Sequence, residues 1–426
     1  MKLIKTNHLQ IINKLKSKFK DFENKSLLNS LNKIRKNIRN HGDQALIEYL
    51  IAFDNLKNPK DFQFQVTKNE IKEAYTKVEK SVVAALTRAK ENIVKYHEKQ
   101  FPVSWFTKAQ TGVKYGQKFS AIDQVGIYVP GGNAVYPSSV LMNAVPAKIA
   151  KVRDLIMITP PNQEGNVPAV TLVAADLCGV DTIYKVGGAQ GIFALAYGTE
   201  SIQKVAKIVG PGNRYVTLAK QMVYGQVDID KPAGPSEVMI YIDNKKYISF
   251  AASDFIAQLE HNPDSIAIVV SEDQAILNFL KKEIFKQTEA ALRRVIIEKA
   301  LANSFLLATK NLEESLMVIN EYAAEHVVIL SENATQIEPK IINAGAIFIG
   351  PYTPVTLGDY YAGPNHVLPT LGAAKFASPL NVLDFMKSTS LLQYSKNALA
   401  LALPDLELLT EVEGLDAHKK SVEIRF

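Results

Sequence analysis

The sequence predicts an α/β protein: two doubly wound blocks flanked by helical extensions at both ends. Three observations carry that expectation. Between Val125 and Val209 short apolar runs alternate with helical stretches, and the runs end in glycine-rich turns. From Val238 to Ile349 a second block follows the same plan. Outside the blocks, apolar residues recur at helical spacing.

The length of 426 residues allows two to four domains, each with a real core. A hydrophobic content of 47% and a charged content of 22% are ordinary for a soluble globular chain. The formal charge of +6 is mild but uneven. Lys2, Lys5, Lys14, Lys16, Lys18, Lys20, Lys25 and the following basic residues to Arg39 face only Asp21 and Glu23. Leu3, Ile4, Leu9, Ile11, Ile12, Leu15 and Phe19 interleave with them, which suits an amphipathic helix better than a nucleic-acid arm. The single cysteine, Cys178, excludes an intrachain disulfide and a cysteine-based zinc site. No apolar run approaches the ~18 residues of a membrane helix, and no signal-peptide core opens the chain. The expectation is a soluble, cytoplasmic protein without nucleic-acid or membrane partners.

Taken in order, residues 1–100 read as helical, with a break at Gly42-Asp43 where Asp43 can cap the next helix. Gly112–Phe119 alternates like a strand, and Val125–Val129 is a short apolar strand closed by Pro130-Gly131-Gly132. A helix over 140–149, a buried strand at 155–159, a helix over 167–178 and a strand at 182–186 follow. Gly187-Gly188-Ala189-Gln190 opens the next helix, and Lys207-Ile208-Val209 runs into Gly210-Pro211-Gly212-Asn213. In the second block, strands are expected at 238–242, 266–270, 304–308, 327–330 and 345–349. Sheets of this kind bind ligands beyond the carboxyl ends of their strands. The Gly-, Pro- and Tyr-rich segment 351–379 is too long for a bare connection, and the last 45 residues read as a helical tail.

The chemistry-bearing residues are scattered. Gln258 and His261 stand three apart before Pro263, one face of a helix near its end. Glu325-His326 precedes a buried strand, and a histidine beside a carboxylate is suited to proton transfer near neutral pH. Asp359 offers a hard oxygen ligand in the long loop, and His418 lies near the C-terminus. Gln258, His261, Asp359 and His418 form a nitrogen and oxygen set suited to zinc or manganese, although spacing alone does not bring them together. Each also has an ordinary explanation, as a helix end, a loop cap or an exposed tail residue. None of the glycine turns is a GxGxxG fingerprint with its acidic partner.

Together these stretches resemble the histidinol dehydrogenase family. The matching runs are Gly126–Gly132, Tyr136–Ala144, Gly187–Gln190, Lys207–Asn213, Ala233–Val238, Gln258–His261, Glu325-His326, Asn343–Gly350, Gly358–Tyr360, Asn365–Thr370 and Gly414–His418. They keep the family's order from about residue 40 to the end. The resemblance implies oxidation of L-histidinol to L-histidine, via histidinal, by two hydride transfers to NAD. It also implies one zinc per subunit, held by Gln258, His261, Asp359 and His418, which positions the substrate rather than polarising the alcohol. His326 matches the general base, and Glu325 matches the residue that activates water. Ser236 and Glu413 match substrate contacts, as do His326 and the zinc ligands, while Tyr128, Gln190 and Asn213 match NAD contacts.

The implied fold is two incomplete Rossmann-like domains with helical extensions. Residues 1–22 would be a helical dimerisation segment. Residues 23–127 with 234–377 would form the zinc- and substrate-binding domain, and 128–233 the NAD-binding domain. Residues 378–426 would be a helical tail exchanged in a homodimer, bringing Glu413 and His418 to the partner's site. Ala257, Leu259 and Ala324 depart from the residues expected around the family motifs without removing a ligand or a proton carrier. A dehydrogenase of a related amino or sulfonated alcohol is the nearest alternative. A zinc hydrolase using Glu325 as base, or a silent binding protein on the same fold, stands further off.

Overall fold

The computed structural model describes residues 1–5, 10, 13, 25–131, 135–231 and 234–426. Two parallel sheets and one small antiparallel sheet organise the chain. The first parallel sheet holds β4 (Gln124–Tyr128), β5 (Asp154–Thr159), β6 (Thr182–Lys185), β7 (Lys207–Val209) and β8 (Asp228–Ile229), in the order β6-β5-β4-β7-β8. Counted within the block this is 3-2-1-4-5, the doubly wound order lacking its sixth strand. The second holds β9 (Glu237–Ile242), β10 (Ile266–Ser271), β11 (Phe305–Ala308), β12 (His326–Leu330) and β13 (Ala346–Ile349) in the corresponding order, with β1 (Lys2–Ile4) added at the β11 edge. Both blocks are therefore incomplete Rossmann-like units, as expected.

Every residue of β9, β10 and β12 is buried, which explains their unbroken apolar runs: helices cover both faces of the sheet. One face packs Val238, Ile240 and Val269 with Phe255 and Leu280, and the other packs Met239, Tyr241 and Ile268 with Ile319 and Tyr322. In the first block Tyr128, Ile156 and Tyr184 face one cluster, and Val125, Ile127 and Met157 face the opposite one.

Three expectations need correction. Residues 2–4 form a strand parallel to β11, not part of a helix; most of the remaining N-terminal segment lies outside the described residues. The last 45 residues are not all helical. Met386–Tyr394 forms β14, antiparallel to β3 (Val113–Ala121), which also pairs with β2 (Trp105–Gln110). Nearly every residue of β14 is exposed, Met386 and Leu391 being half-buried, so no apolar stripe supports a helix there, and the polar run with β-branched Thr389 is compatible with a solvent-exposed strand. Finally, residues 25–97 pack on the five-stranded sheet, so the 23–127 piece does not sit with 234–377 as one body. Leu27, Leu31, Leu46 and Leu50 join the Tyr128 cluster, while Ala74, Ala89 and Ile93 join the Val125 cluster.

The helix Lys25–Asp54 buries Leu27, Leu31, Ile34, Ile38, Ala45, Leu46 and Leu50, a stripe at three- and four-residue spacing. Its kink falls at Gly42, whose φ of 45° suits glycine. Asp43 does not cap the following turns; its carboxylate accepts from the Ser201 hydroxyl and amide instead, at 2.5 and 3.3 Å. The helix ends at Asp54, beside Tyr128, with one carboxylate oxygen buried and unpartnered.

Burial pushes the Asp54 carboxyl from its usual 3.8 up to about 6. A raised carboxyl pKa means the folded state holds the proton more tightly. The associated stability is complete below about pH 4 and is lost as the pH rises through about 6. Asp54→Asn is therefore expected to raise stability by about 1–2 kcal/mol at pH 8 and to leave it nearly unchanged at pH 3.5. Melting temperatures at the two pH values check this; equal shifts at both would refute it.

Candidate active site

The first group of expected residues lies where an α/β sheet normally binds ligands. Tyr128 ends β4, Gln190 sits in the first turn of the helix after β6, and Asn213 caps the helix after β7. All three are at the carboxyl edge of the five-stranded sheet. The Tyr128 hydroxyl accepts the Gly188 N–H at 3.4 Å, and burial, with the Asp54 charge adding, pushes the phenol up to about 12. Gly210, at φ 115°, lies so close to the Tyr128 carbonyl that any Cβ would collide with it. The Asn213 side chain accepts from the Tyr215 and Val216 amides, the ordinary work of an N-cap. Gln190 is buried.

The second group lies at the opposite edge of the other sheet, contrary to the expectation from sheet topology. Glu237 and His326 are the first residues of β9 and β12, Ser236 precedes β9, and the helix Ile248–Leu259 runs back to deliver Gln258 and His261 just before β10. The site therefore uses the amino ends of the six-stranded sheet. That helix stops at Leu259, leaving His261 in the bend beyond it. Pro263 disfavours a helical residue before it, and the Asn262 side chain accepts the Asp264 amide at 3.0 Å to turn the chain. Asp359 lies in a short helix, Val355–Tyr360, and not in open loop.

Glu325 and His326 are 6% and 5% exposed. The His326 Nδ1–H donates to the Glu237 carbonyl at 3.0 Å, which leaves Nε2 as the position that gains or loses the titrating proton. Nε2 is buried without a hydrogen bond, 3.7 Å from Asp359 Oδ1, and Nδ1 is 3.6 Å from Glu325 Oε2. Burial opposes charge on the imidazole, but Glu325 and Asp359 outweigh it and hold its pKa up at about 9. Burial raises the Glu325 carboxyl to about 7, against the opposing pull of His326. Burial also works against charge on Asp359, yet His326, His366 and His261 keep its pKa below the usual value.

Two connections carry the edges of the two sheets to one another. His366 holds the Asp359 carbonyl through Nδ1 at 2.9 Å and meets Ser139 Oγ through Nε2 at 3.5 Å. Ser139 is in the first turn of the helix Pro137–Ile149, which begins at the carboxyl edge beyond β4. Beside it, Asn365 donates to the Met142 carbonyl at 2.6 Å. Ser139, His366, Asp359 and His326 thus form a continuous path from one block to the other.

Among the tail residues, Glu413 and His418 are exposed, as are Leu401, Leu408, Leu409 and Val412 on the same helical segment. Among the described residues, no three His, Cys, Asp or Glu side chains gather into a metal cluster within one chain. The structure brings together Glu325, His326, Asp359 and His261 in electrostatic contact, with Gln258 one turn before His261. It leaves Glu413 and His418 open to solvent. The donors fit a divalent metal in kind: His261 and Asp359 are electrostatic neighbours, an imidazole and a carboxylate, and buried Gln258 adds an amide oxygen one turn away.

Sequence reasoning gave no role to Glu237, His366 and Ser139, although all three lie in the runs that match the family. For Glu237 a signal existed, an acid at the head of an otherwise apolar strand. This carboxylate, 0% exposed, accepts from the Tyr322 hydroxyl at 2.7 Å and from the Leu371 and Glu325 amides at 2.9 and 3.3 Å. Its own amide donates to Glu325 Oε2 at 2.8 Å. Tyr322→Phe, which removes one donor from a buried carboxylate, is expected to cost about 1.5–3 kcal/mol of stability by denaturant titration. A cost below about 0.5 kcal/mol would show that Glu237 is anchored without it.

The chain is similar to known proteins over nearly its whole length. The sequence profile of the histidinol dehydrogenase family matches residues 17–426. The chain is 48% identical to a histidinol dehydrogenase of Heliobacterium mobile over 389 residues, 91% of either chain. It is 47% identical to that of Clostridium acetobutylicum over 405 residues, 95% of this chain and 93% of the other. The crystal structure of histidinol dehydrogenase from Elizabethkingia anophelis superposes with a TM-score of 0.89 at 36% identity, covering 94% of this chain and 92% of that one. With near-complete coverage at this identity, and with buried Glu325-His326 facing Asp359, the chain belongs to the histidinol dehydrogenase family, oxidoreductases of histidine biosynthesis.

Proposed function

We propose that this chain oxidises L-histidinol to L-histidine in two successive NAD-dependent steps at the amino ends of β9 and β12. The observation that carries the mechanism is His326, whose Nδ1–H is held by the Glu237 carbonyl while Nε2 is buried and unbonded. In the neutral form of the ring, whose share grows as the pH rises toward about 9, Nε2 takes the substrate's hydroxyl proton as a hydride leaves the same carbon, giving the aldehyde. Glu325, raised to about 7 by burial, takes a proton from water as its oxygen adds to the aldehyde. The resulting hydrate then loses its hydroxyl proton to His326 and a second hydride, giving the carboxylate. NAD, lodged near Tyr128, Gln190 and Asn213, would accept each hydride. Zinc held by Gln258, His261, Asp359 and His418 would anchor the substrate's imidazole and amino groups. Ser236, at the head of β9, is placed to contact the substrate beside them.

The exposed tail supports a homodimer in which Glu413 and His418 reach the partner's site. Leu401, Leu408, Leu409 and Val412 line one stretch of the tail helix and are unburied in a single chain, the pattern of a face awaiting a partner. A shared site also accounts for the missing fourth ligand. No helix of the described residues is long and apolar enough to cross a membrane.

The direct test is NADH formation by zinc-loaded protein with L-histidinol and NAD, against a chelator-treated control. Two NADH per histidinol are expected. His326→Ala is expected to lower kcat by about 10²–10⁴, and Glu325→Gln to lower it by a similar factor through the hydration step. No turnover despite bound NAD would move the reading to another amino alcohol. Tail exchange has its own test. Co-expressed His261→Ala and His418→Ala chains, each inactive alone, should recover about a quarter of wild-type activity, because half the dimers are mixed and each mixed dimer keeps one intact site. Mixed protein as inactive as its parents would place His418 in its own chain's site.

A further inference from the structure

A buried ion pair stands beneath the carboxyl edge of the five-stranded sheet. Lys220, on the helix Arg214–Val223, meets Asp230, the residue after β8, and the two side chains are 3% and 2% exposed. Both partners also reach Gly210, the first residue beyond β7. The Asp230 carboxylate accepts the Gly210 N–H at 2.7 Å, and the Lys220 ammonium donates to the Gly210 carbonyl at 2.9 Å. Three segments therefore converge on one glycine.

Stability does not account for the pair. Charges taken out of water gain little over well-packed apolar residues of similar volume. Val216, Ala219 and Val223 of the same helix are fully buried and apolar. What the pair achieves is geometric. The N–H and the carbonyl of Gly210 belong to the two peptide planes on either side of its Cα, so holding both planes fixes φ and ψ together. Glycine has the widest backbone freedom, and Gly210 sits at φ 115° where a Cβ would strike the Tyr128 carbonyl. Beyond it the turn has little slack. Pro211 restricts its own φ, a Cβ on Gly212 would strike Val216, and Asn213 caps the helix that carries Lys220. The conformation of Gly210 thus sets where Asn213 stands relative to Tyr128.

We infer that Lys220 and Asp230 are positioning residues for the cofactor: their ion pair locks Gly210 and so sets the Tyr128–Asn213 spacing before NAD arrives. The inference rests on the proposed NAD contacts of Tyr128 and Asn213. Almost sealed from solvent, the pair itself does not touch the cofactor.

The test is NAD affinity by calorimetry, with KM values, on the full-length zinc-loaded protein. Lys220→Met/Asp230→Val, which holds neither peptide plane, is expected to raise the Kd and KM for NAD about 10-fold, the cost of ordering one freed backbone residue. Its kcat at saturating NAD and its KM for L-histidinol should stay within about twofold, a split that general loosening of the fold does not produce. Lys220→Gln/Asp230→Asn keeps a donor and an acceptor without the charges and should recover most of the NAD affinity. In wild-type protein, hydrogen exchange at the Gly210 amide should be as slow without NAD as with it. Unchanged NAD affinity in Lys220→Met/Asp230→Val, KM values for both substrates rising together, or Gly210 protection that appears only with NAD would overturn the role of the pair. Asn213→Asp keeps the helix cap but sets a negative charge against an anionic cofactor, and should weaken NAD binding about 10-fold. Unchanged affinity in that variant would instead overturn the cofactor reading on which the inference stands.

Discussion

The site depends on one buried carboxylate. Glu237 heads β9 with no access to water, and its oxygens collect donors from three separate segments: Tyr322 ending one helix, Glu325 at the approach to β12, and Leu371 in the long segment after β13. Its backbone does as much. The amide holds the Glu325 carboxylate and the carbonyl holds the His326 ring. A buried charge is tolerable only with such a full set of donors. The same residue that is satisfied by these bonds also fixes Glu325 and His326, the proposed proton carriers, so stability and the geometry of the proposed site share one set of contacts.

The pairing of sheet edges follows from this anchor. A doubly wound sheet offers its carboxyl edge because the turns there open toward helix N-termini. The five-stranded sheet uses that edge, with Tyr128, Gln190 and Asn213. The six-stranded sheet has the same strand order but works from its amino edge, where Glu237 and His326 begin their strands. Repeated topology does not repeat the site. Opposed edges let the residues proposed for the cofactor and the proposed proton carriers be joined by one segment, which carries Asp359 and His366.

Electrostatics separates Glu325 from His326. Burial acts on both Glu325 and His326 against charge. For Glu325 burial prevails and the carboxyl titrates near neutrality, while for His326 two flanking carboxylates prevail and the ring holds its proton more firmly. Adjacent residues in one buried place thus acquire different proton affinities from their neighbours alone. Asp359 is the shared term, since it faces His326 and is also the proposed metal ligand.

Much of this was legible in residue order. Unbroken apolar runs such as Ile266–Val270 marked buried parallel strands, because helices cover both faces and no polar alternation survives. Glu325-His326 and Gln258 with His261 were visible as pairs, since each is local. The strands β1 and β14 were not, because a short or largely exposed strand takes its identity from the neighbour it pairs with. Nor could the helix Lys25–Asp54 reveal which sheet its apolar stripe would cover. Glu237, His366 and Ser139 matter through partners 88, 7 and 227 residues away along the chain. Sequence alone determined most of the elements and the family; only the tertiary structure decided the rest and which edges meet, because hydrogen bonds and buried charges act through space and not along the chain.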